Sequence, residues 1–89
     1  MAALHLIIRG KVQGVFYRVS AKKIANKIGI VGWVRNTKEG NVEIIAQGPD
    51  SQTHEFVQWC RSGPPGATVQ NITTEMVEEQ DFDSFQILH

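Results

Sequence analysis

Acidic side chains are missing from the first 38 residues. Through Lys38 the chain carries eight Lys and Arg (Arg9, Lys11, Arg18, Lys22, Lys23, Lys27, Arg35, Lys38) and no Asp or Glu. From Glu39 onward it carries nine acids and one base, Arg61. The net charge is zero, so the asymmetry lies in where charge falls. A surface built from the first part would attract anions, whereas folding that interleaves the two parts would cancel the field. We read a positive patch around one loop only.

Other absences narrow the class. Cysteine occurs once, at Cys60, which excludes an internal disulfide and fits a reducing compartment. His5, His54 and His89 have no metal-ligand spacing with Cys60 or each other, so neither a metal site nor a cofactor is indicated. No Ser has a plausible His and Asp partner, which leaves a hydrolase triad without support. No apolar run approaches the roughly 18 residues of a membrane helix, and no signal peptide is visible. A cytoplasmic protein without membrane contact is expected. Aromatics make up 8% of residues. Phe16, Tyr17, Trp33 and Trp59 read as core or loop packing rather than base-stacking platforms, so no nucleic-acid partner is expected. Aromatics beside a basic loop are nonetheless what an RNA binder would carry.

What is present fits one small domain over residues 1–89, with 42% apolar and 20% charged residues. Leu4 to Ile8 reads as a strand bounded by Gly10. Ala21, Ile24, Ala25 and Ile28 fall on one face of a helix starting near Val19, with Ser20 compatible with capping and Gly29 placed to end it. Strands are expected over Ile30 to Asn36 and Val42 to Gln47, joined through the turn-rich Asn36 to Asn41, with Gly40 suited to φ > 0. Gly48-Pro49-Asp50-Ser51 breaks the third strand and offers Asp50 or Ser51 as an N-cap. Thr53, Phe56, Val57 and Cys60 trace a second helix, ended at Ser62-Gly63-Pro64-Pro65-Gly66. Cys60 on that apolar face reads as buried and inert. Thr68 to Val77 and Phe85 to Leu88 complete the strands. The order β-α-β-β-α-β plus a short strand specifies an α+β, ferredoxin-like sandwich: an antiparallel sheet of four to five strands with two helices on one face.

The chemistry concentrates in Lys11 to Arg18. A short loop feeding a helix N-terminus presents unpaired N–H groups at the positive end of the helix dipole, and such places bind anions. Arg18 is either an ordinary surface residue or a planar fork for phosphate or carboxylate; a cation is unfavourable at a helix start unless an anion compensates it. Gly10 and Gly14 read as turn residues, and the Gly-Lys-Ser/Thr ending of a Walker loop is missing. Asn36, at a strand end, reads on residue type alone as a local turn former, although its amide oxygen is able to hold a water.

These residues resemble a known family. Gly10-Lys11-Val12-Gln13-Gly14-Val15-Phe16-Tyr17-Arg18 is similar to the acylphosphatase signature Gly-x-Val-Gln-Gly-Val-x-Phe-Arg. Gly32-Trp33-Val34-Arg35-Asn36-Thr37, followed by Gly40-Asn41-Val42-Glu43, resembles its second signature. Gly63-Pro64-Pro65-Gly66-Ala67 looks like a loop frequent in prokaryotic, free-standing members. One departure is Tyr17 where Phe is commoner; its added hydroxyl is expected to be tolerated if it reaches solvent. The resemblance implies hydrolysis of an acyl phosphate to a carboxylate and inorganic phosphate, without metal or cofactor, by in-line attack of water. It implies that Arg18 and backbone N–H groups of Gln13, Gly14, Val15, Phe16, Tyr17 and Arg18 bind the phosphoryl group, or inorganic phosphate or sulfate in its place. It assigns Asn36 to the attacking water, against the turn-former reading. A monomer is expected. Two rivals stand beside this: a module that holds phosphate or RNA backbone without hydrolysis, and an inactive domain on the same frame. A free-standing chain favours the enzyme.

Overall fold

The computed structural model describes residues 1–89. The chain forms strand β1 (Ala2–Lys11), helix α1 (Tyr17–Ile28), strands β2 (Val31–Asn36) and β3 (Val42–Gly48), helix α2 (Asp50–Ser62), and strands β4 (Thr68–Met76) and β5 (Phe85–Ile87). The five strands make one sheet in the order β4-β1-β3-β2-β5. β1 lies between β3 and β4, antiparallel to both. That is the split arrangement the element order implies, with the first and last long strands adjacent and β4 on the edge.

Alternation along the strands separates two faces. Leu6, Ile8, Val34, Val42, Ile44 and Ala46 are buried on the face that meets the helices. Ala21 and Ala25 of α1 are fully buried; with no side chain beyond Cβ they let the helix lie close to its neighbours. Phe56, Val57 and Cys60 of α2 complete this core, and Phe56 meets the Phe85 ring edge-on at 5.8 Å. On the other face Glu43 accepts hydrogen bonds from His5 Nε2 and Arg35 Nε, both at 2.6 Å. The Arg35 guanidinium stands 5.6 Å from the centre of the Trp33 ring.

Several sequence expectations are corrected. The sheet is mixed, because β5 pairs parallel to β2. β1 begins at Ala2 and ends at Lys11, longer than the apolar run, because both its edges are paired. α1 begins at Tyr17, two residues before Val19, with Phe16 at the N-cap and no side-chain cap bond, so Ser20 does not cap. Pro49 is the N-cap of α2 and Asp50 is its first helical residue, where a carboxylate suits the dipole. Gly10 sits at a register shift between β1 and β4 at φ 133°, and a Cβ there would collide with the Thr68 carbonyl. The shift re-aims the end of β1 as it enters the loop before α1.

Candidate active site

The site is built where β1 hands over to α1. Along residues 12–16 the chain alternates inward and outward. Val12 is buried, Val15 packs on the core beside Gly66, and Tyr17 at the helix start is 1% exposed. Gly14 and Phe16 face outward. Both have left-handed backbones, φ 74° at Gly14 and φ 64° at Phe16, the latter being the only non-glycine residue with positive φ. Closely spaced left-handed residues curl successive N–H groups toward one side, which makes a concavity for an anion. No main-chain or side-chain oxygen of the protein accepts a hydrogen bond from the N–H of any residue from Gln13 to Val19; the first helical bond here is Ser20 N–H to the Phe16 carbonyl at 3.0 Å.

Arg18 follows in the first turn of α1, half-buried. The ion pairs of the protein join Glu43 to His5 and to Arg35, and Arg18 takes part in neither. Arg9 donates to Asn71 and Thr73 and Arg35 to Glu43, whereas the Arg18 guanidinium makes no side-chain hydrogen bond. A cation at the positive end of a dipole, with no acid beside it, leaves its charge available to a ligand.

Asn36 comes from the other direction, as the last residue of β2, opposite Val42 of β3. The hairpin loop beyond it is closed by Thr37 N–H to the Asn41 carbonyl at 2.9 Å and by Asn41 N–H to Thr37 Oγ1 at 3.1 Å. Gln13 joins this hairpin to the first loop. Its Nε2 donates to the carbonyls of Thr37 and of Asn41, both at 2.8 Å. The two signature segments are thereby held in one register.

Between them lies a cavity of about 230 Å³. Gly14, Phe16, Tyr17 and Arg18 line it with Asn36, and Val12 and Val19 complete it. No acidic residue is among them. Five of the sequence-expected residues are therefore brought together. Gln13 and Val15 are not in the lining, since the Gln13 amide is turned to the hairpin and Val15 to the core. Sequence reasoning missed Val12, Val19 and the carbonyls of Thr37 and Asn41. Val19 was within reach of it, lying three residues beyond Phe16 on one side of a helix start.

Two sequence readings change here. The Tyr17 hydroxyl does not reach solvent: it donates to the Cys60 carbonyl at 2.8 Å, with the ring 5.4 Å from that of Trp59. Burial, helped by Cys60, pushes this phenol well above its ordinary value. Cys60 is buried as expected, and burial pushes its thiol up to about 12, outweighing the opposing influence of the Tyr17 hydroxyl and of the Arg61 charge. Phe16, expected to pack, is instead 80% exposed.

Asn36 also lines a second cavity, of about 490 Å³, together with Ile7, Arg35, Thr37, Lys38, Glu39 and Glu43. Burial tends to raise the Glu43 carboxyl, but the hydrogen bonds from His5 and Arg35 outweigh it and hold the group below its ordinary value. Glu43 is thus a neutralised anion on the open sheet face, and it does not line the Arg18 cavity.

Residues 4–87 match the family model described as acylphosphatase. Among curated proteins, an acylphosphatase of Pyrobaculum arsenaticum is 46% identical over 90 residues, covering 99% of this chain and 95% of its own. One of Marinobacter nauticus is 42% identical over 86 residues, covering 96% and 94%. The crystal structure of acylphosphatase from Bacillus subtilis superposes with a TM-score of 0.95 at 32% identity over the whole of both chains. The acylphosphatase of Coxiella burnetii does so with a TM-score of 0.94 at 36% identity, covering 98% of this chain and 92% of its own. A family match over nearly all residues, on the same fold and with both signature segments meeting at one cavity, means that this chain belongs to the acylphosphatase family.

Proposed function

We propose that the chain, as one acylphosphatase-like domain over residues 1–89, hydrolyses the carboxyl–phosphate bond of small acyl phosphates, with Arg18 and the loop N–H groups holding the phosphoryl group and Asn36 orienting the attacking water. The observation that carries this reading is the run of unpaired N–H groups from Gln13 to Val19 beside an uncommitted Arg18, in an acid-free cavity that Asn36 also lines. An acyl phosphate leaves as a weakly basic carboxylate, so no general acid is needed. Water attacks phosphorus opposite the acyl oxygen, the phosphorus–acyl oxygen bond breaks with its electron pair, and both water protons end on phosphate. The task left to the protein is alignment and charge stabilisation. Fixed N–H donors and one guanidinium supply that charge, and no metal is called on. Inorganic phosphate or sulfate would occupy the same loop. The reading includes a monomer, and a lone free thiol suits the cytoplasm.

The test is benzoyl phosphate turnover, with and without a chelator. Arg18→Ala should lower kcat/KM by about 10²- to 10³-fold, and Arg18→Lys should recover little, because Lys offers a point charge in place of a fork. Asn36→Ala should lower kcat more than it weakens inhibition by phosphate. Near-normal turnover in folded Arg18→Ala, or full loss of activity on chelation, would refute the assignment.

A further inference from the structure

Phe16 combines three properties that stability does not explain. It is the only non-glycine residue with positive φ, it is 80% exposed, and it lines the Arg18 cavity. A left-handed backbone strains a bulky residue, and an exposed phenyl returns no burial to offset that strain. Val19, three residues on and 46% exposed, lines the same cavity. The other exposed large apolar residues, Met1, Met76 and Leu88, do not line this cavity. The cavity lining therefore divides into a sheet side, with Asn36 and Val12, and a helix side, with Arg18 and the apolar pair.

Resting on the hydrolase reading above, we propose that Phe16 and Val19 are specificity-determining residues that hold the acyl group of the substrate and favour aromatic or bulky apolar acyl phosphates over short ones. In-line displacement places the leaving acyl oxygen opposite the attacking water. With water at Asn36 on the sheet side, the acyl group is directed away from it, toward the helix side. The second cavity is the other candidate for this group, but Asn36 lines it too, which puts it on the water's side, and its lining is polar apart from Ile7. Two exposed side chains beside Arg18 are far too little for a protein partner, which needs about 800 Å² of surface. A phenyl or branched alkyl group matches them.

The experiment measures kcat/KM for benzoyl phosphate and acetyl phosphate in the unaltered protein, in Phe16→Asn and in Val19→Ser. Asn accepts a left-handed backbone and keeps the N–H, so Phe16→Asn removes the ring alone. Dividing each variant's benzoyl-to-acetyl ratio by that of the unaltered protein cancels the intrinsic reactivity of the two acyl phosphates. A ring-on-ring contact predicts that this ratio falls about 3- to 10-fold in Phe16→Asn, mostly through a raised KM for benzoyl phosphate. It should fall about 2-fold in Val19→Ser, where only one branched side chain is lost. An unchanged ratio in both folded variants overturns the proposal while leaving the hydrolase reading in place. Turnover of neither acyl phosphate by the unaltered protein overturns the hydrolase reading itself. Should Phe16→Asn not fold, Val19→Ser decides alone.

Discussion

Replacing Tyr17 by Phe removes one oxygen from the middle of the protein. That oxygen donates to the carbonyl of Cys60, which lies in the last turn of α2 and has no intrahelical N–H to pair with. The variant therefore loses a buried bond and strands a buried acceptor. Together these cost about 1–2 kcal/mol. For a domain of this size that is a drop in Tm of about 4–8 °C per kcal/mol. Urea unfolding should show a lower midpoint with an unchanged slope. The deficit should also depend on pH. Tyr17 is the only tyrosine, and its folded phenol is raised above the ordinary 10 by burial. A raised group contributes its stability in full below pH 10 and loses it as pH rises, because the unfolded phenol ionises first. Each pH unit above 10 then removes about 1.4 kcal/mol from the unaltered protein and nothing from the Phe variant. The gap should narrow from pH 10 and close near pH 11. Tyrosinate absorbance of the folded protein, from a single chromophore, should stay flat until unfolding. A variant as stable as its parent at pH 7, or a gap that stays constant to pH 11, would refute the reasoning.

Gln13→Ala removes both donors that tie the first loop to the hairpin, so kcat should fall by about 10-fold or more, and Gln13→Met, of similar length but without a donor, should recover little of it; unchanged kinetics would mean the two loops hold position independently. Cys60, buried and with its thiol raised to about 12, should resist alkylation at pH 8 in the native protein and react promptly once urea unfolds it. Glu43, held below its ordinary value, contributes stability that is complete above the unfolded carboxylate range and is lost as pH falls through the folded value. Glu43→Gln should therefore cost under about 1 kcal/mol at pH 7 and flatten the acid limb of a stability–pH curve; parallel curves would show that the carboxylate is unimportant there.

The arrangement of elements was legible because local signals agreed with one another. Ala21, Ile24, Ala25 and Ile28 mark a helical face, and Gly40 within a polar run marks the hairpin. The direction of β5 was not legible, since a three-residue strand has no room for a pattern that distinguishes parallel from antiparallel pairing. Arg18, Gly14 and Asn36 could be placed at one site through two signature segments, but neither segment says where its side chains turn. Phe16 and Tyr17 are adjacent aromatics with opposite fates because one left-handed residue rotates the chain between them. The partners of Gln13 are main-chain carbonyls 24 and 28 residues away, and a carbonyl has no residue identity for a sequence to display.

The residue immediately before Arg18 is a ring sunk against α2, and the residue that opens the loop, Val12, is sealed in the same core. The anion-holding curl consequently has no hinge of its own. Loosening it means drawing Tyr17 and Val12 out of the interior, which is the beginning of global unfolding. Catalytic loss and melting should then trace one and the same curve on heating, and amide exchange along α1 should report a single cooperative opening instead of an early, separate one.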